Sequence, residues 1–281
     1  MFLQWFPGHM TKALRMMEEE VKLCDGIVMI LDARAPFACL NKKLSSVLGN
    51  KPVVYVLNKC DLVSDSDIAY SESVFLKENK QVVSIVGTSE KSANKLYQKI
   101  CLALSDVKKR YEQKGVKKPL RIMVAGVPNT GKSTIINLLC GNKRAKTGDK
   151  AGVTKDKQWV KIKDLELLDT PGTTPPSFEN QTYAKYLAFI GSLNDDIVDF
   201  TELTIELIKY LEENYKGVLS SVYNIETENK TAGEIFELLA LRRGALKKGG
   251  VIDEERISNL IITDFRKGKI GKIYLKKYED L

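Results

Sequence analysis

The chain has 281 residues, the length of roughly two domains, and can bury an ordinary core without disulfides or metals. Its 43% hydrophobic and 28% charged residues are typical of globular proteins and exclude disordered and collagen-like chains. The net charge is +8, from 44 Lys and Arg against 36 Asp and Glu, so the distribution of positive charge is informative.

No segment approaches the roughly 20 apolar residues of a membrane-spanning helix, since the most apolar run, residues 26–31, ends at Asp32. The N-terminus has neither a basic lead nor a small-residue cleavage site, which predicts a cytoplasmic protein. The five cysteines are far apart and never form a CxxC pair, which suits a reducing compartment and argues against zinc.

Residues 10–24 have apolar side chains at three- and four-residue spacing, which predicts a helix. Apolar runs of strand length then alternate with segments of helical periodicity, as in a parallel sheet. The predicted strands are residues 26–31, 53–57, 81–86, 121–125, 158–162 and 165–168. The predicted helices between them are residues 40–48, 65–77, 93–107 and 132–139. Together they predict a doubly wound α/β domain with six mostly parallel strands.

From about residue 175 onward the pattern predicts helices without intervening strands. Residues 195–215 are rich in apolar side chains, and Thr231 and Glu234 have the spacing of a capping box before a second helix that Gly244 ends. Asp253 opens a third helix. We therefore predict an α/β domain over residues 1–177 and a small all-α domain over residues 178–281.

The strongest local signal is residues 126–133, GVPNTGKS, which match GxxxxGK[ST] between a predicted strand and a predicted helix. Backbone N–H groups at a helix N-terminus favour phosphate, Lys132 would reach the β and γ phosphates, and the Ser133 hydroxyl would bind Mg²⁺. The predicted phosphate-binding residues are Asn129, Thr130, Gly131, Lys132, Ser133 and Thr134. The alternative is a chance match without nucleotide binding.

A second signal, the NKCD sequence, comes at the end of the strand at residues 53–57. The Asp61 carboxylate can accept hydrogen bonds from guanine N1–H and the 2-amino group, whereas adenine would leave this carboxylate, expected to be buried, unpaired. Asn58, Lys59 and Cys60 are expected to support the base and the loop. Alone the string is typical of a surface turn, but beside a phosphate loop it predicts guanine binding.

The third signal, DTPG, follows the strand at residues 165–168. Asp169 is predicted to hold Mg²⁺ through water, and the Gly172 amide to contact the γ-phosphate. Thr154 is predicted to supply a second hydroxyl to Mg²⁺, with Thr147 as its rival. An ordinary turn after a strand is the alternative.

Two segments concentrate positive charge: residues 108–121, where only Glu112 opposes it, and residues 266–277, which contain no acid. Such clusters bind phosphate backbones. The alternatives are a solvated linker and a frayed tail. For the second cluster we favour nucleic acid, because four further cations lie in the same half of the chain: Arg242, Arg243, Lys247 and Lys248.

The three motifs resemble those of the translation-factor class of GTPases, in which the phosphate loop comes first and NKxD late. Here NKCD precedes the phosphate loop, so the domain resembles a circularly permuted one whose usual ends are joined by residues 108–121. In the permuted order, the GTPase domain ends just after DTPG. Movement of residues 171–178 would therefore be transmitted directly to the helical domain. The same rotation places His9, the one histidine, near the γ-phosphate in topology.

With residues 5–10 (WFPGHM), the DARAP run at residues 32–36 and the ending at residues 264–271, the chain closely resembles the ribosome biogenesis GTPase A (RbgA/YlqF) family. The resemblance implies GTP hydrolysis coupled to late assembly of the bacterial large (50S) ribosomal subunit, with the helical domain contacting ribosomal RNA. We also expect a monomer. The alternatives are a non-catalytic, GTP-gated RNA-binding module and a GTPase linked to RNA modification.

Conventional members have Gln directly after the DxxG glycine, where this chain has Thr173, so we expect slow hydrolysis without the subunit. His9 is the natural substitute, because a neutral imidazole can accept a hydrogen bond from water; alternatively it packs against or caps the first helix. Related GTPases with Asn at the position of Asn129 often bind K⁺ there, and the alternative is an Asn that only stabilises the loop.

Overall fold

The computed structural model describes residues 15–40, 46, 49–141, 158–172, 180–277 and 279. Residues 15–20 are helical and lead into a short 3₁₀ turn, Val21–Leu23, which agrees with the later part of the predicted helix at residues 10–24. The earlier part of that helix, and nearly all of the helix predicted over residues 40–48, lie outside the described residues.

All six predicted strands are present, with ends within one or two residues of those predicted. They are β1 (Gly26–Asp32), β2 (Val53–Asn58), β3 (Gln81–Ser84), β4 (Leu120–Ala125), β5 (Gln158–Ile162) and β6 (Leu165–Asp169). The sheet order is β3-β2-β1-β4-β6-β5, and within it β5 pairs antiparallel with β6 while the other neighbours are parallel. Every residue of β1 is buried, because a parallel sheet is covered on both faces.

Helices cover both faces of this sheet. They are α1 (Asp65–Lys77), α2 (Lys91–Ala103), α3 (Ser105–Gln113) and α4 (Lys132–Cys140). α2, α3 and α4 share a hydrophobic core with one face. α1 and residues 15–23 pack on the other face, which also forms one continuous core with the C-terminal helices.

The single helix predicted over residues 93–107 is wrong, because the chain forms α2 and α3 with a turn at Leu104. This turn keeps both Leu104 and Val107 buried against the sheet. α3 then continues into the basic connector, where three of the seven cations pair with acids on neighbouring parts of the sheet domain. The ion pairs are Lys108–Asp164 (3.2 Å), Lys118–Asp25 (3.8 Å) and Arg121–Glu166 (3.0 Å). These contacts favour a structural role for Lys108, Lys118 and Arg121, while the other four cations of residues 108–121 are exposed.

The C-terminal region is helical. Its helices are α5 (Gln181–Phe189), α6 (Phe200–Asn214), α7 (Val218–Tyr223), α8 (Ala232–Arg242) and α9 (Glu254–Arg266). α5 and α7 have no counterpart among the predicted helices. None of the helices in the described ranges combines the length and apolar character needed to cross a membrane.

Capping residues set where these helices begin. The predicted capping box of Thr231 and Glu234 is confirmed at the start of α8, and the Asp253 side chain accepts from the Arg256 N–H at the start of α9. The helix predicted from residue 195 begins instead at Phe200, because Asp199 caps it. Residues Asp195–Ile197 form a separate 3₁₀ turn.

The basic segment after α9 is packed, so its interpretation as a frayed tail is wrong. Ile273, Tyr274 and Leu275 are buried. The hydroxyls of Tyr210 in α6 and of Tyr215 directly after it donate to the Tyr274 carbonyl at 2.8 and 2.9 Å. On its other side, the Leu275 N–H donates to the Arg34 carbonyl at 2.7 Å, so this segment joins the helical region to the loop after β1. Its lysines are the part that stays accessible.

Candidate functional site: a nucleotide-binding crevice

Four loops meet at the carboxyl edge of the sheet. Asp32, Asn58, the phosphate loop at residues 126–133 and Asp169 end or follow β1, β2, β4 and β6, which are parallel. The strand order reverses between β1 and β4, since later connections lead away from this point in opposite directions. Open α/β sheets bind ligands at such a switch point. The three predicted motifs therefore share one crevice although their order in the chain is rotated.

The phosphate loop leaves little space for side chains. A Cβ on Gly126 would lie 2.4 Å from the Ile30 carbonyl oxygen, and one on Gly131 would lie 2.4 Å from the Asn58 side-chain nitrogen. The loop ends at α4, which begins at Lys132. Unsatisfied N–H groups and the helix dipole attract anions at such a terminus. Residues 129–134 thus lie around the N-terminus of α4, where anion binding is favoured.

Lys132 is buried inside this loop. Its Nζ donates to the carbonyl oxygens of Gly126 at 3.2 Å and Val127 at 3.1 Å. Burial lowers the pKa of Lys132 from 10.5 to about 8, and the charge of Asp169 opposes that shift only in part. A buried ammonium is stabilised most by a nearby anion, so a phosphate at this position would raise the pKa again.

Ser133 and Asp169 form a candidate magnesium site. The Ser133 Oγ donates to Asp169 Oδ2 at 3.2 Å. Asp169 Oδ1 is buried and has no hydrogen-bond partner among the described residues, and burial raises the pKa of this carboxyl. A hydroxyl beside an orphaned carboxylate oxygen fits the hard oxygen donors that Mg²⁺ prefers. Thr154 and its rival Thr147 lie outside the described residues.

Gly172 lies directly against the phosphate loop. A Cβ at Gly172 would be 2.8 Å from the Pro128 Cα and 2.9 Å from the Lys132 Nζ. A glycine at this point lets the DTPG backbone approach the lysine that is predicted to bind the γ-phosphate. The two residues that bear on the attacking water, His9 and Thr173, lie outside the described residues.

The NKCD turn, residues 58–62, is bonded to the phosphate loop. Asn58 Nδ2 donates to the Thr130 carbonyl at 2.8 Å, and its Oδ1 accepts from the Gly87 N–H at 2.9 Å. Lys59 Nζ donates to the Asn129 carbonyl at 2.7 Å. Both side chains therefore fix the spacing between the predicted base site and the predicted phosphate site.

The Asp61 side chain is exposed, so its predicted burial is wrong. The 3₁₀ turn Cys60–Leu62 carries Asp61 past the end of β2, where the sheet no longer covers it. The neighbouring Cys60 thiol donates to the Leu57 carbonyl at 3.2 Å, and burial raises its pKa to about 11. Cys60 thus stabilises the turn, while the Asp61 carboxylate faces solvent.

Two features of the site have no counterpart in the motif predictions. Asp32 is fully buried and pairs with both Arg34, at 2.8 Å, and Lys59, at 2.9 Å. These cations hold the pKa of Asp32 well below its usual range even though burial alone would raise it. A charged pair directly after an apolar strand was the signal in the sequence, but spacing alone does not identify Lys59 as its third member.

The turn after α5 also contacts the phosphate loop. Asn129 Nδ2 donates to the Gly191 carbonyl at 2.6 Å, and Ser192 Oγ donates to the Pro128 carbonyl at 2.7 Å. The second of these bonds is buried. The helical region is therefore bonded directly to the predicted phosphate site.

Comparisons with known proteins show which proteins this chain is similar to. The family model described as 50S ribosome-binding GTPase matches residues 121–231, a range that starts in β4 and excludes the NKCD turn. A curated relative, ribosome biogenesis GTPase A of Bacillus licheniformis, is 36% identical over 283 residues and covers 100% of both chains.

Two solved structures are also similar. The GDP-bound structure of TM YlqF matches with a TM-score of 0.68 and 28% identity, over 95% of this chain and 100% of that one. The GNP-bound YlqF from T. maritima matches with a TM-score of 0.65 and 28% identity, over 96% of this chain and 100% of that one. On the similarity to the Bacillus protein over its full length, the chain belongs to the ribosome biogenesis GTPase A family.

Proposed function

We propose that this protein is a GTP hydrolase that acts in late assembly of the bacterial large ribosomal subunit. It binds precursor particles when loaded with GTP and leaves them after hydrolysis. The observation that carries the proposal is the bonding of Asn58 and Lys59 to the phosphate loop, which supports a single site for base and phosphates. The names of the relatives support the ribosomal role.

Phosphoryl transfer to water requires mostly positioning and charge neutralisation. Lys132 neutralises the β and γ phosphates, and the N–H groups of residues 129–134 hold their oxygens. Ser133, Asp169 and Thr154 would hold Mg²⁺, which supplies further charge neutralisation when bound. Gly172 contacts the γ-phosphate through its backbone N–H. At the base, Asp61 accepts from guanine and Cys60 supports the turn.

We assign the orientation of the attacking water to His9. A neutral imidazole accepts a hydrogen bond from water and has an unperturbed pKa of about 6.5. In a His9→Ala protein we expect GTP hydrolysis stimulated by the large subunit to fall by about 10²-fold, with GTP affinity unchanged. Single-turnover hydrolysis and a binding titration measure the two. An unaltered stimulated rate would remove the catalytic role and leave packing or helix capping.

A K⁺ ion at Asn129 is a second part of the proposal. The hydrogen bond from the Asn129 side chain to the Gly191 carbonyl supports the alternative, in which Asn129 only stabilises the loop. Hydrolysis rates in KCl and in NaCl distinguish the two, because only an ion site predicts faster hydrolysis in KCl. Equal rates would leave the structural role.

The helical domain, residues 178–281, is proposed to contact ribosomal RNA, and the whole protein to be a cytoplasmic monomer. The exposed cations of the helical domain include Arg243, Lys247, Lys248, Lys267 and Lys272. Neutralising phosphates with such side chains releases counterions, so binding weakens as salt rises.

Measuring GTP turnover with and without large subunits, at two salt concentrations, tests the function. We expect the subunit to increase turnover and higher salt to weaken its binding. Negligible turnover with the subunit present would favour a non-catalytic, GTP-gated RNA-binding module. Binding that does not respond to salt would exclude the basic surface as the RNA contact.

A further inference from the structure

The ion pair between Asp32 and Arg34 lies beside the NKCD turn and connects the nucleotide crevice to the helical region. Asp32 Oδ1 accepts from Arg34 Nε at 3.0 Å, and Oδ2 accepts from Arg34 Nη2 at 2.8 Å. The same Oδ2 lies 2.9 Å from Lys59 Nζ, which also donates to the Asn129 carbonyl. Lys59 is therefore shared between the phosphate loop and Asp32, and Arg34 shares that carboxylate.

Arg34 ends on the last turn of α9. Its Nη1 donates to the carbonyl oxygens of Phe265 and Arg266, both at 3.3 Å, and its guanidinium lies 5.2 Å from the centre of the Phe265 ring. Carbonyls at a helix C-terminus carry partial negative charge and favour a cation. Arg34 is only 2% exposed, so water cannot readily replace these partners.

A second contact, next to Asp61, joins the NKCD turn to the chain that follows α9. The Ile273 N–H donates to the Leu62 carbonyl at 3.2 Å. A Cβ on Gly268, just beyond α9, would lie 2.5 Å from Leu62 Cδ2. The chain leaving α9 thus packs against the residue that follows the predicted guanine-binding carboxylate.

We propose that the C-terminal end of α9 positions the NKCD turn for guanine recognition, with Arg34 as the positioning residue that links them through Asp32 and Lys59. The inference rests on the proposed binding of guanine nucleotide by this turn. When Arg34 keeps its carbonyl partners, Asp32 is neutralised on both sides and Lys59 stays on the phosphate loop. By linkage, a partner that moves α9 changes nucleotide affinity, and nucleotide changes affinity for that partner.

A double-mutant cycle between Arg34 and Lys59 tests this link, with Kd for fluorescent N-methylanthraniloyl GDP and kcat at saturating GTP as readouts. Arg34→Met leaves Asp32 with one cation, which draws Lys59 away from the Asn129 carbonyl. We expect Arg34→Met to raise Kd about tenfold and kcat to change by less than about twofold. If Arg34 acts through Lys59, the double variant binds no more weakly than Lys59→Met alone. Additive effects, or no effect of Arg34→Met, would overturn the proposal.

Glycine variants give an independent test if Arg34→Met does not fold. Gly268 and Gly244 both follow a helix with positive φ, at +73° and +62°, but a Cβ on Gly244 meets nothing within 4 Å. Alanine at either position adds similar backbone strain, while only Gly268→Ala makes the Leu62 side chain shift. We expect Gly268→Ala to raise the GDP Kd severalfold and Gly244→Ala to leave it unchanged at matched thermal stability. Equal Kd values in the two variants would contradict the proposal.

The wild-type protein separates this inference from the proposed function. If wild-type protein does not bind GDP, the proposed function fails and the inference fails with it. If it binds GDP and the Arg34 and Gly268 variants bind equally well, the inference alone fails.

Discussion

Lys132→Met is expected to lower kcat/KM for GTP by at least about 10²-fold, because the cation proposed to bind the transferring phosphate is lost. The same variant is expected to unfold at a higher temperature than the wild type when no nucleotide is present. Burial lowers the pKa of Lys132 to about 8 despite its hydrogen bonds to two carbonyls and the charge of Asp169, so a thioether of similar length removes a net desolvation penalty even though those carbonyls lose a donor. Steady-state kinetics and thermal unfolding measure these opposite effects.

Lys77→Met is the matched control, since Lys77 is an exposed lysine at the end of α1. It should change neither hydrolysis nor stability appreciably. A Lys132→Met protein that lost stability and activity together would indicate a structural lysine rather than one held ready for phosphate.

The lowered pKa of Lys132 also predicts how pH acts on the wild type. Between a folded pKa of about 8 and the ordinary value of 10.5, the unfolded chain binds a proton here that the folded protein does not. The contribution of Lys132 to the free energy of unfolding therefore rises with pH across this window. GTP affinity should fall over the same window, because the proposed contact of Lys132 with the phosphates needs the charged amine. In Lys132→Met, neither the free energy of unfolding nor the GTP affinity should show a change of slope near pH 8 that comes from this residue.

Asp61→Asn is expected to change the preferred base from guanine to xanthine. Asparagine still accepts from N1–H, but its amide donates where the carboxylate accepted, and xanthine has a carbonyl in place of the 2-amino group. We expect GTP affinity to fall by at least about 10²-fold and XTP to bind more tightly than GTP, because a mismatched polar edge leaves groups unpaired. Competition titrations with both nucleotides measure the change.

The exposure of Asp61 makes this variant easy to interpret, since no buried contact is lost. Asp65→Asn is the matched control: Asp65 is an exposed carboxylate four residues further on, in the first turn of α1. It should leave base preference unaltered. An Asp61→Asn protein that kept its GTP affinity would show that guanine is recognised elsewhere.

The strands and the three motifs are predictable from the sequence because their signals are local. A strand buried on both faces must be apolar throughout, so β1 and β2 are visible as continuous runs. The phosphate loop needs particular residues at short spacing, and so does the capping box at Thr231. Such signals survive circular permutation, because each depends on neighbours along the chain.

Helix boundaries within long apolar segments were less visible. The turn at Leu104 lets both Leu104 and Val107 pack against the sheet. The periodicity of apolar residues along the chain contains no information about the shape of that sheet surface. α5 is not predicted by the sequence pattern for a related reason: five of its nine residues are buried, so it lacks the polar stripe of a surface helix.

Short-range patterns in the chain specify an α/β sheet, its rotated motif order and the chemistry of a guanosine triphosphate site. The assembled fold alone determines that Lys59 is shared with Asp32, that Arg34 reaches the end of α9, and that the basic C-terminal segment is packed. Each of these contacts joins residues far apart in the chain. Their energy comes from burial of charge and apolar surface, which exists only after the sheet and the helices have packed together.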